Sequence, residues 1–202
     1  MIRTRVVGDL SGLPTSAFGL RSIVFWGTVG FMVVEGAAFL LAAGAYLYLR
    51  VHSATWPPEP FLPPSLLYGT LFTLVMLASE IPNRWLARKA HDRDEPAVKL
   101  GMLMIVAAGV ILCVLRAFEF TSLNVRWDQN AYGSATWLLM LLHTVHVVTD
   151  LGDSIVLLVF LFTHAVRDEE FSEVNDNCAY WSFVVWTWVP IYLLVYWAPR
   201  LL

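Results

Sequence analysis

Five long apolar runs separated by short polar segments set the pattern of this chain. Their approximate limits are 22–49, 65–86, 98–120, 134–164 and 178–197. Each is long enough to cross roughly 30 Å of hydrocarbon at ~1.5 Å per helical residue. Periodicity cannot separate helix from strand in a wholly apolar run, but length can. A helix also satisfies its own backbone polar groups in lipid. The pattern therefore predicts an all-α membrane protein, a bundle of five transmembrane helices forming a single domain over residues 1–202. No internal repeat of the kind that builds transporters is visible.

Composition agrees. The 202 residues are 58% hydrophobic and 14% charged, against about 25% charged in an ordinary soluble domain. A net charge of −3 and the lack of a dense basic patch point away from nucleic acid. Cys113 and Cys178 offer neither a disulfide framework nor a CxxC ligand pair. The first apolar run exceeds a signal-peptide core, and the polar stretch before it does not fit one, so the span is expected to be retained.

Between the spans, "VHSATWPPEPFLPP" holds five prolines and is expected to be extended. The segment "NRWLARKAHDRDEPAVK" is basic and "AVRDEEFSEVNDN" is acidic, and both read as loops. With the N-terminus inside, that side collects Arg3, Arg5, Arg21, Arg84, Arg88, Lys89, Arg93, Lys99 and Arg167. The other side keeps Arg50, Arg116, Arg126 and Arg200. Nine bases against four predict N-in, C-out.

Polar residues inside the spans are costly and need a reason. Glu35 stands among Gly27, Gly30, Gly36, Ala37 and Ala38, which permit close helix approach. It reads either as a proton-linked or lipid-contacting group, or as a neutral acid bonded to a neighbouring helix. Arg116 and Glu119 are three apart and should pair along their helix, with a lipid phosphate as the other partner for Arg116. Glu80 reads as interfacial. In "LLHTVHVVTDLGDSI", His143, His146, Asp150 and Asp153 fall within an arc of ~80°, and His164 projects the same way. Such a stripe faces protein or water rather than lipid. Metal ligation and proton linkage are alternatives, but too few deep acids are available for a bundle metal site. Hydrogen bonding between helices is the reading adopted. The last span carries four of the nine tryptophans, which suggests packing against a large neighbour, and Pro190 should kink it.

These residues resemble those of subunit III of the haem–copper respiratory oxidases, over all five spans. "FWGTVGFMVVEGAAF" is similar to the family's tryptophan–glycine opening followed by an embedded glutamate, matched by Glu35. "RAFEF" resembles Gln-x-x-Glu-Tyr and keeps Glu119. "YGSATWLLMLLHTVHV" resembles Phe-His-Gly-x-His-Val, keeping His143, His146 and Val147. "AYWSFVVWTW" is similar to Tyr-Trp-His-Phe-Val-Asp-Val-Val-Trp, keeping Tyr180, Trp181, Phe183, Val184 and Trp188. Thr144, Ser182 and Val185 depart from the family's Gly, His and Asp, and Asp150 and Asp153 are additional. Five spans match the shorter family form, without the first two helices of the longer one.

The resemblance implies a non-catalytic subunit of a terminal oxidase in a bacterial cytoplasmic membrane. Such a chain carries no haem, copper or other cofactor of its own, since those belong to catalytic subunit I. It packs against that subunit and other oxidase subunits, supports oxygen reduction and proton translocation, and binds phospholipid. Arg116, Asp150, Asp153, Tyr180, Trp181 and Trp188 are the expected lipid or partner contacts. The catalytic subunit of the family needs six histidines, and this chain has five, two of them in loops. The related protein associated with nitric oxide reductase shares these features, and a small proton-coupled transporter is a more distant alternative.

Overall fold

A computed structural model describes Gly19 and residues 22–201. Arg3, Arg5 and Arg21, used above for orientation, lie outside these residues. The five apolar runs form five helices long and apolar enough to cross a membrane. These are α1 (Ile23–Val51), α2 (Leu66–His91), α3 (Glu95–Thr121), α4 (Ala131–Thr163) and α5 (Asp168–Tyr192). A π-helical turn, Leu193–Trp197, and a short α6, Ala198–Leu201, extend the last one.

Local signals set the helix starts. Ser22 Oγ accepts from the Phe25 N–H and Asn130 Oδ1 from the Gly133 N–H, at 3.3 and 2.7 Å. Asp94 caps α3 by accepting from Ala97 N–H at 3.4 Å, with Pro96 in the first turn. Lys89 Nζ donates to the same carboxylate at 3.0 Å. That bond, with the Ala97 N–H, holds Asp94 below the ordinary carboxylate pKa.

Two segments expected as loops are helical. The basic one is mostly α2 and α3, with only residues 92–94 between them. The acidic one is the start of α5. The physical reason is that lipid thickness limits the apolar run, not the helix. Arg88, Lys89 and His91 suit the negative end of α2, and Asp168, Glu169 and Glu170 the positive end of α5.

Helix α2 packs against α3 and α5, α4 against α3 and α5, and α1 lies outside, touching α4 and α5. The proline-rich loop is tied down. Trp56 is buried and donates to the Tyr46 hydroxyl at 3.0 Å, and Ser65 N–H bonds Ser122 O. Of the four tryptophans of the last helix, two point inward, while Trp186 and Trp197 stay exposed. Trp181, Trp188 and Tyr196 are fully buried against α2 and α3. Trp181 Nε1 donates to Ser79 Oγ at 2.9 Å, and Trp188 Nε1 to Thr73 Oγ1 at 2.8 Å. Pro190, which has no N–H to give, precedes the π turn. There Ala198 N–H reaches back five residues to Leu193 O.

Candidate functional site

Burial of charge at the centre of the bundle begins with Arg116. Its guanidinium lies between the rings of Phe72 and Trp188, 3.8 and 4.2 Å from their centroids. Nη1 donates to Glu119 Oε2 at 2.8 Å and Nη2 to His143 Nδ1 at 2.9 Å. Since arginine can only donate, His143 accepts at Nδ1, and its proton sits on Nε2, which donates to Val184 O at 3.1 Å. The Tyr196 hydroxyl donates to Glu119 Oε1 at 2.5 Å. One network thus joins α3, α4 and the last helix. At 2% exposure, Arg116 cannot meet a lipid phosphate.

A second cluster joins α1, α4 and α5. Tyr180 donates to Glu35 Oε2 at 2.9 Å, and Glu35 Oε1 meets His146 Nε2 at 3.1 Å. His146 Nδ1 donates to Leu142 O at 2.6 Å. The carboxyl of α1 and the imidazole of α4 thus meet directly. His146 and Asp150, four residues apart on α4, do not pair with each other. Asp150 instead turns to α5, where Asn177 Nδ2 donates to Asp150 Oδ1 at 3.4 Å and to Asp153 Oδ2 at 3.3 Å. Ser154 also meets Asn177, at 3.2 Å.

These residues edge a cleft of about 970 Å³ between α1, α4 and the start of α5. Glu35, His146, Asp150, Asp153 and Tyr180 line it, whereas His143 does not. His164 leaves the stripe. It ends α4 in an extended conformation, bonded to Thr163 and stacked on Phe160. Of the expected lipid or partner contacts, Arg116, Asp150, Trp181 and Trp188 are buried inside this chain, because its own α2, α3 and α5 cover them. Asp153 is exposed and Tyr180 partly so.

A third cluster was missed. Glu80 is buried between α2 and α5, not interfacial. It accepts from Ser182 Oγ at 3.0 Å, from Asn83 at 3.3 Å and from Arg84 at 2.9 Å. Asn83 also donates to Cys178 O at 2.9 Å. The available signal was that Glu80, Asn83 and Arg84 share one helical face, with Ser79 beside them. Ser182, where the family pattern has His, serves Glu80, and Val185, where it has Asp, is buried among apolar groups.

Five helices long and apolar enough to span a membrane, joined by buried polar clusters, define a multi-pass membrane protein. Its sequence matches the family described as cytochrome c oxidase subunit III over residues 19–199. It is 26% identical to cytochrome c oxidase subunit 3 of Drosophila yakuba, covering 94% of this chain and 74% of that one. It is 27% identical to the Aedes aegypti protein of the same name over the same shares, and 26% identical to that of Synechocystis over 88% and 77%. The chain belongs to the cytochrome c oxidase subunit III family.

Proposed function

We propose that this chain is a non-catalytic subunit of a haem–copper terminal oxidase. It packs beside catalytic subunit I and other oxidase subunits in a bacterial cytoplasmic membrane, N-in and C-out. One observation carries the non-catalytic role. The histidines serve the packing of the bundle: both ring nitrogens of His143 and of His146 are held by groups of this chain, which tie α4 to α1, α3 and α5. Those cofactors reside in the partner. The cleft beside α1 has apolar walls and a polar edge, which suits phospholipid. The turn between α2 and α3 meets the start of α5 through the Arg93–Asp168 ion pair at 3.0 Å, so the basic and acidic segments share one end of the bundle.

Purification in mild detergent tests this. Haem-bearing subunits with an oxidase spectrum are the expected companions. A nitric oxide reductase would reassign the complex, and a chain that purifies alone while moving protons would be a transporter. In the assembled complex, alanine at His143 and His146 should loosen this subunit without changing metal content per complex. Loss of one metal ion with assembly intact would make the stripe a cofactor site.

A further inference from the structure

The cleft between α1, α4 and α5 carries more negative charge than its walls answer. Glu35, Asp150, Asp153, Glu169, Glu173 and Asp176 are among its lining residues, with Arg167 as the arginine on the same wall. Asp150 is 2% exposed, and while Oδ1 accepts from Asn177, its Oδ2 has no hydrogen-bond partner. Asn177 must serve Asp153 with the same amide nitrogen. A buried acceptor left without a donor is expensive, and a charged one more so. Two carboxylates sharing one amide therefore leave an opening for a further donor that is cationic.

The shape of the cleft says what kind. Val24, Phe31, Val145 and Val156 line it and are well exposed, so an apolar wall runs beside the acidic edge. Among the described residues no three His, Cys, Asp or Glu side chains converge as a metal ion needs. We propose that the Asp150–Asp153 edge of this cleft binds a primary ammonium group, supplied by an aminophospholipid headgroup or by a free amine. The ammonium donates to Asp150 Oδ2 and to Asp153. In the lipid case the acyl chains follow the apolar wall. The inference rests on the reading of this chain as a lipid-binding subunit III. It goes beyond that reading because Asp150 and Asp153 lie outside the family's motifs and select the headgroup.

The intact complex is reconstituted into nanodiscs of phosphatidylethanolamine and phosphatidylglycerol with identical acyl chains, and retained lipid is counted by native mass spectrometry. The charge-assisted bonds to ammonium should favour phosphatidylethanolamine by about tenfold. In D150N/D153N, and in D153N alone should the double variant fail to assemble, the preference should fall towards parity. Putrescine, added from water, separates the sources. If it binds while phosphatidylethanolamine shows no preference, the ligand is a free amine. Retention of phosphatidylglycerol alone, or a preference unchanged in the variants, would overturn the ammonium site and leave lipid binding standing. Retention of neither lipid, with no putrescine bound, would overturn both.

Discussion

Arg116 and Glu119 form an ion pair with no access to water, at 2% and 0% side-chain exposure. Breaking such a pair from one side costs about 3–5 kcal/mol, because the remaining charge is stranded. Arg116→Met should therefore lower stability in detergent by roughly that amount, read from the thermal midpoint. E119Q in the same background should recover much of the loss, since the amide still accepts from Tyr196 and strands no charge. A double variant no better than R116M would contradict this account. Glu35 behaves differently. Gln at that position can accept from Tyr180 and donate to His146 Nε2, so Glu35→Gln should leave assembly and most turnover intact. Loss of most proton uptake would instead give the Glu35–His146 pair a place in transport. The Arg116–Glu119 partnership was legible because it lies within one turn of one helix. The bond from Tyr196 to Glu119 was not, because residues 77 apart in sequence carry no mark of which helices will meet.

On α2, a Cβ added at Gly69 would overlap the Tyr196 ring of the last helix. Gly69→Ala should cost about 1–3 kcal/mol by overpacking and should displace Tyr196 from Glu119. Normal melting of G69A in detergent would show that the ring can yield. At the α2–α3 turn, the capping carboxylate Asp94 has a lowered pKa, so it binds its proton less readily folded than unfolded. Its contribution to stability is present above the unfolded value of ~3.9 and is lost as pH falls through the lower folded value. Asp94→Ala should flatten that part of the acid melting curve, and added salt should weaken the effect in the parent protein. The apolar runs made these helices legible, but not their full length. The residues past each run are polar, and they stay helical because their charges and caps suit helix ends rather than because they are buried.

At the scale of the molecule, α2, α3, α4 and α5 form a block bound by buried charge, and α1 is attached to its side through α4 and α5. The number of spans and the arc of the His–Asp stripe could be read from sequence. The inward turn of Trp181 and Trp188 could not, because a wholly apolar helix does not announce which side meets protein and which meets lipid. The extended last helix has a consequence for chain length. A π turn is an α-helix holding one residue too many, and here the surplus lies between Pro190 and the contacts of Tyr196 with Glu119 and of Arg200 with Pro64 O. Deleting the exposed Leu193 should let the helix regain regular winding with its final turn still in phase. A deletion before Trp188 would rotate everything after it by about 100° and pull Tyr196 off Glu119. The same single-codon loss should thus be tolerated at one point and ruinous a turn or two earlier, which makes this turn the place where the gene can change length without changing the fold.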